Sequence, residues 1–408
     1  KQLVKTLHEA GLGVILDVVF NHTYSVADNP LEKCAPGYYY RHDAEGKLCN
    51  GSGCGNETAS EREMFRRLMT DSVVYWAREY HIDGFRFDLM GLHDVETMNA
   101  IRAALDGAFP DGRGRSILMY GEPWYCSPPY GVVGADMAHV KSLSDRIAIF
   151  NGFARDGIRG RHYGGLNGFV QGNFTALEKA MSGILGGTKG IEGEKDSGEV
   201  RSPQQQILYC ACHDDYTLFD HISAVTKDGF HVERAQRMAA FMLFSGLGIP
   251  FIQAGEEFLR TKYMDGNSYR SSDAINKLDW RRREDFDDTV RYYQGLIAIR
   301  RKNKVFDDLS VAPAQVCGRL PSRRGTAVYY IGDYLYCINN NSRPLILYLN
   351  GRVWILADIR NADAVGLREA DKKAAVEPYG VLLLFSPSPL AACAVSLHNK
   401  AGDRSPVW

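Results

Sequence analysis

The 408-residue sequence predicts an α/β barrel followed by a smaller antiparallel β domain. Three observations predict it: short apolar runs that each end in a polar cluster, amphipathic helices between those runs, and helix-free alternation past about residue 306. Alternating strands and helices require a parallel sheet, and polar residues gathered at the C-terminal ends of successive strands mark a closed (β/α) barrel. The competing doubly wound sheet would carry a glycine-rich phosphate turn after its first strand, and no such turn is present.

Each element has its own signal. KQLVKTLHEAG opens the chain as a helix. In VILDVVFNHTY the run Val14 to Phe20 reads as a strand that stops at Asn21 and His22. SEREMFRRLMTDSVVYWAREY places Phe65, Leu68, Met69, Val73, Trp76, Ala77 and Tyr80 on one helical stripe, with Ser60 and Glu63 as its expected capping box. Strands follow in DGFRFD, ending at Asp88; in ILMYGEPW, ending at Glu122 and Trp124; and in RIAIFNG, ending at Asn151. ILYCACHDD delivers His213, Asp214 and Asp215, with Cys210 and Cys212 inside the apparent strand, and IPFIQAGEEF delivers Glu256 and Glu257. RAQRMAAFMLFSG and TVRYYQGLIAIRR are two further helices. The barrel portion is expected over 1–306 and a β-sandwich with a tail over 307–408, where TAVYYIGDYLYCINN turns near Gly332 and Asp333.

Composition narrows the function. A net charge of -1 gives no broad field for nucleic acid or an anionic membrane, and no apolar run is long enough to span a bilayer. The nine cysteines are odd in number and unpatterned, favouring neither a disulfide framework nor a zinc site; reduced thiols in a cytoplasm are the expectation. Lys1 lies inside a helical pattern, so localisation is not readable from this end and secretion stays open.

Arg86 and Asp88 stand two apart in a strand and therefore on one face, the guanidinium beside the carboxylate. Taken alone, the bland alternative is a structural ion pair. The wider pattern favours chemistry. DVVFNH, GFRFD, GEPW and HDD resemble, in order and spacing, the four signature segments of the α-amylase clan of glycoside hydrolases. The stretch from Asn50 to Asp94, with GEEFLRTK and NSYRSSDAINKLDW, is similar to type I pullulanases, which cut α-1,6 links in pullulan and branched α-glucans.

The resemblance implies Asp88 as nucleophile, Glu122 as acid/base and Asp214 as the third clan carboxylate. His22 and His213 would bind hydroxyls of one sugar ring, Trp124 would stack on a sugar, and Arg86 would keep Asp88 ionised. Burial beside Trp124 would help Glu122 keep its proton. Asp215 replaces the asparagine usual there, adding a carboxylate next to Asp214; Asn267 and Tyr269 would line the outer cleft. Asp17 and Asn21 fit the first segment as loop ties, and Glu256 and Glu257 fit a structural role. No cofactor is required, and a structural calcium is compatible with the family.

The substrate implied is a branched α-glucan. The alternatives are an isoamylase-like hydrolase, an α-glucanotransferase of the same clan, or a non-catalytic glucan-binding protein. Motif order makes the first strand here the third of an eight-stranded barrel. Two strands and an aromatic floor to the sugar site are thus expected from a missing N-terminal portion of the same enzyme, and the chain alone is expected to be poorly stable and nearly inactive.

Overall fold

The computed structural model describes residues 1–126, 131–161, 167–189, 199–226, 229–386 and 396–397. The tail expected beyond Ser386 lies outside the described residues except for 396–397. Two compact units divide the chain: Lys1–Phe150 with Glu194–Gln205, and Asn151–Gly193 with Gln206–Trp408.

The first unit carries helices α1 (Gln2–Glu9), α2 (Pro30–Cys34), α3 (Glu63–Tyr80) and α4 (Val95–Gly107) around strands β1 (Ile15–Val18), β2 (Gly84–Phe87), β3 (Leu118–Gly121) and β4 (Ala148–Phe150). All neighbours pair in parallel, with Asp17 beside Arg86 and Arg86 beside Tyr120. β2 is buried along its whole length, as a sheet covered on both faces requires. Phe65, Met69, Val73 and Ala77 form the buried face of α3 and join Phe85, Phe87, Ile101 and Met119 in one core. Leu68, placed on the same stripe by sequence, is 42% exposed.

The capping box does not form. α3 starts at Glu63 with Arg62 as its cap, so Glu63 is the first helical residue and cannot reach back as a third-position glutamate would. Ser60 instead donates to Asp94 Oδ2 at 2.7 Å and accepts from the Asp94 amide at 2.9 Å, bracing the residue that caps α4.

β1 meets only β2 among the described residues, and its other flank is open. Ile15 and Val19 are 41% and 53% exposed, an unusual state for apolar residues on and beside a barrel strand.

The second unit holds α5 (Gly152–Arg159), α6 (Leu177–Ile184), β5 (Gln206–Tyr209), α7 (Leu218–Ser223), α8 (Gly229–Ser245), β6 (Ile249–Phe251), α9 (Asp273–Asn276), α10 (Arg281–Asp285), α11 (Asp287–Lys302) and α12 (Pro313–Val316). β5 and β6 pair in parallel. β5 ends at Tyr209, so Cys210 and Cys212 lie just past the strand rather than in it.

Beyond α12 run β7 (Cys317–Leu320), β8 (Thr326–Ile331), β9 (Tyr334–Asn339), β10 (Leu345–Tyr348), β11 (Val353–Asp358), β12 (Arg368–Ala370), β13 (Lys373–Val376), β14 (Gly380–Phe385) and β15 (Ser396–Leu397). They form antiparallel sheets of order β12-β11-β14-β9-β8-β7 and β13-β10-β15. The β8–β9 hairpin turns at Gly332 and Asp333, where Gly332 takes φ +57. β9 is buried on both faces: Leu335 and Cys337 join Leu347, Val376 and Leu382, while Tyr334, Tyr336 and Ile338 face the cluster of Phe241 and Leu296 from α8 and α11. Among the described residues no helix is long and apolar enough to cross a membrane.

Candidate active site

In the first unit the ends of β1, β2 and β3 converge. Arg86 leaves β2 on the same face as Asp88, and its Nη1 donates to Asp88 Oδ1 at 2.8 Å and to Asp17 Oδ1 at 2.7 Å. Its Nη2 is ion-paired with Glu122 Oε1. One buried guanidinium thus serves three carboxylates. Burial works against its charge, but Glu122, Asp17 and Asp88 outweigh that and raise its pKa above the ordinary arginine value.

The nucleophile candidate is clamped from a second side. Asn21, fully buried just past β1, donates from Nδ2 to the Asp88 carbonyl at 2.7 Å and to Asp88 Oδ2 at 3.0 Å. His22, half-buried, makes a 2.5 Å contact through Nδ1 with Asn21 Oδ1. Asn21 is therefore a tie, and what it ties is the Asp88 carboxylate.

Glu122, buried at the end of β3, receives the Leu89 amide on Oε2 at 3.0 Å. Leu89 adopts φ 39, a left-handed backbone that costs a leucine roughly 1–2 kcal/mol. Besides the expected burial, both oxygens of Glu122 meet donors. A carboxylate oxygen of Asp88 and one of Glu122 lie within 4.8 Å of each other.

The loop after β3 approaches closely. A Cβ on Gly91 would lie 2.0 Å from the Trp124 carbonyl oxygen, so only glycine fits while the Gly91 amide donates to the Glu122 carbonyl at 3.0 Å. Trp124 is half-buried. Behind the site, Arg41 Nη1 donates to the Leu92 carbonyl at 2.7 Å and pairs with Glu57 and Glu61. His93 is fully buried, and neither ring nitrogen has a hydrogen-bond partner among the described residues. Burial, reinforced by the charge of Arg41, pulls its pKa down to about 3.

The second unit presents the remaining predicted residues. His213 and Asp214 follow β5 on an exposed segment, their side chains 3.5 Å apart and 52% and 80% exposed. Asp215 is not left to repel Asp214: its Oδ2 pairs with the buried Arg159 at 2.9 Å and its Oδ1 accepts from the Tyr216 amide. Its φ of 67 is one that aspartate tolerates. Asn267 and Tyr269 are exposed on the loop after β6, with Arg270 over the Tyr269 ring. Glu256 is buried, accepts from Tyr293 Oη at 3.2 Å, and is pushed up to about 8 by burial.

Sequence reasoning missed the roles of Leu89, Gly91 and His93. GLHD after the Asp88 strand was the visible signal, since a glycine one turn beyond an acid marks close backbone approach.

No protein-family model matches the chain. It is 41% identical over 321 residues to a pullulanase of Bacillus subtilis, an alignment covering 77% of this chain and 43% of that protein. The crystal structure of a type I pullulanase from the same organism, complexed with maltose, superimposes at TM-score 0.87 with 34% identity, over 95% of this chain and 55% of that one. A pullulanase from an Anoxybacillus species, complexed with maltotriose, gives 0.85 and 30%, over 94% and 54%. The chain spans about half the length of these relatives.

Parallel β/α units with carboxylates at their strand ends give the chain the fold of these pullulanase structures over the part it spans. Over the length it spans, it is homologous to the type I pullulanases.

Proposed function

We propose that this chain belongs to a retaining glycosidase that cleaves α-1,6 branch links in pullulan, starch and glycogen-derived glucans. The observation that carries the reading is the approach of Asp88 and Glu122 to within 4.8 Å around Arg86. Retaining glycosidases hold their two carboxyls about 5–5.5 Å apart, whereas inverting enzymes leave room for a water between them.

In this mechanism Asp88 attacks the anomeric carbon and forms a glycosyl ester as Glu122 protonates the leaving oxygen. Glu122 then takes a proton from water, which cleaves the ester. The contacts of Glu122 match its role as base in the second half-reaction, because Arg86 and the Leu89 amide on its oxygens arrange it as an acceptor. Loading the proton for the first half-reaction requires one oxygen to turn from its donor. Asp214, His213 and His22 bind hydroxyls of the attacked sugar, Trp124 stacks on the leaving side, and Asn267 and Tyr269 border the outer cleft. Asp215 acts through Arg159, shaping the segment that carries Asp214. The reaction needs no cofactor.

The open flank of β1 supports a barrel of eight strands, six of them from this chain, with two more covering Ile15 and Val19. Residues 1–306 form the barrel part and 307–408 a β-sandwich with its tail; the core shared by β8, β9, β10, β11, β13 and β14 supports the sandwich. The test is product analysis on pullulan, amylose and glycogen, comparing the chain alone with a form completed at β1 by the two strands of the Bacillus subtilis relative. The completed form releases maltotriose from pullulan and the chain alone is nearly inactive. Full activity of the chain alone, or cleavage of amylose in preference to pullulan, refutes the reading.

A further inference from the structure

Within the second unit a cavity of about 410 Å³ opens among the 170–174 segment, α8 and the loops that follow β9 and β13. Its volume is in the range of small-ligand sites. None of the residues assigned above to catalysis or glucan binding lines it.

Two half-buried rings, Phe174 and Tyr379, supply flat apolar faces. Tyr379 is preset: its backbone is left-handed at φ 51, its amide donates to the Asn341 carbonyl at 3.1 Å, and its ring meets His231 edge-on with centroids 5.2 Å apart. Gly325 keeps Phe174 in place, since a Cβ there would lie 2.9 Å from that ring and 2.8 Å from the Asn341 amide.

Most of the polar lining is neutral, with Arg234 and His231 the exceptions. Asn340 is only 5% exposed; its Nδ2 donates to the Phe169 carbonyl, while its Oδ1 accepts nothing among the described residues. Asn341 Nδ2 donates to the Arg324 carbonyl at 3.0 Å, and its Oδ1 likewise accepts nothing there. Ser342 and Thr226 add hydroxyls without hydrogen bonds among those residues. Arg234 contributes a cation, but its Nε donates to the Tyr379 carbonyl and its Nη2 to the Pro378 carbonyl and to Glu377. That guanidinium holds the Tyr379 loop and has its charge met by Glu377.

Uncharged amide and hydroxyl groups around two aromatic faces suit a neutral, polyhydroxylated ring. Its C–H faces pack on aromatics, and its hydroxyls both donate and accept. We propose that this cavity is a second, non-catalytic saccharide site that takes about one or two hexose units of a glucan. The choice of an α-glucan among neutral sugars rests on the function proposed above. Held there, a polymer would be retained between cleavages.

The experiment places a reporter in the cavity. Phe174→Trp is titrated with maltotriose while its fluorescence is followed, alone and combined with Ser342→Phe, which fills the mouth. The expected result is a saturable change whose half-saturation rises about tenfold with Ser342→Phe, equivalent to ~1.4 kcal/mol. Cooperative melting of both variants is the control for folding; if the chain alone does not melt cooperatively, the β1-completed form is titrated. No response to maltotriose, a response indifferent to Ser342→Phe, or one elicited by inorganic phosphate overturns the proposal. Hydrolysis lost with the response intact refutes only the catalytic reading, and hydrolysis kept with no response refutes only this one.

Discussion

Asp88 and Glu122 stand at the ends of buried strands with Arg86, Asn21 and the Leu89 amide on their oxygens, whereas Asp214, beyond the end of β5, is 80% exposed and faces His213 at 3.5 Å. The first pair is organised before any substrate arrives, the arrangement that lowers a barrier most. The lesson is that a carboxylate at a buried strand end is oriented by protein partners, whereas one on an exposed segment beyond a strand is left open to solvent.

The comparison breaks most sharply at the first pair. In the β1-completed form, Asp88→Asn and Glu122→Gln should each lower kcat on pullulan about a thousandfold or more, with substrate binding retained in an equilibrium titration. A variant with near-normal turnover would remove that residue from its role. Arg86→Leu should come next, cutting turnover because three carboxylates lose the shared cation that positions them. It should also lower Tm, since the buried Glu122 carboxylate is left without its counter-charge. Asp214→Asn should reduce activity with Tm almost unchanged, as an exposed substitution rarely costs more than about 0.5 kcal/mol. A large drop in Tm would show that protein partners orient Asp214.

The two units should also answer pH in opposite directions. His93 has a folded pKa of about 3 against an ordinary 6.5, so the folded unit binds fewer protons than the unfolded chain between those values. Its contribution is complete above 6.5 and lost as pH falls toward 3. Glu256 has about 8 against 4.5, so the folded state binds more protons between those values; its contribution is complete below 4.5 and lost as pH rises to about 8. Thermal melts across pH should show His93→Leu flattening the acid side and Glu256→Gln the alkaline side. Gly91→Ala should lower both Tm and kcat, since its Cβ would lie 2.0 Å from the Trp124 carbonyl oxygen; the smallest effect is that of Asp215→Asn, which changes KM more than kcat.

What the sequence made legible was set by short periods. Alternation put Arg86 beside Asp88, and the two-residue spacing between aromatic strands located the Gly332–Asp333 turn. Polar strand ends marked the first site. Features that depend on distant parts of the chain were not readable. Ser60 looked like a cap for the helix beside it because Asp94, its actual partner, is 34 residues away. The left-handed Leu89 has no local signature, since its strain is sustained by a bond to Glu122. β9 reads as a nearly continuous apolar run from Tyr334 to Ile338, but the partners that cover its two faces, other strands on one and helices on the other, come from distant parts of the chain.

The peptide joining Asp88 to Leu89 carries a further consequence. Its carbonyl receives Asn21 and its amide supplies Glu122, so one rigid plane links the supports of both acids. Rotating that plane would release the two contacts together. The supports of the two acids therefore stand or fall together. Evolution acting here would meet cliffs instead of slopes: specificity can drift in the outer loops, but substitutions that reach this peptide should switch the chemistry off as a whole.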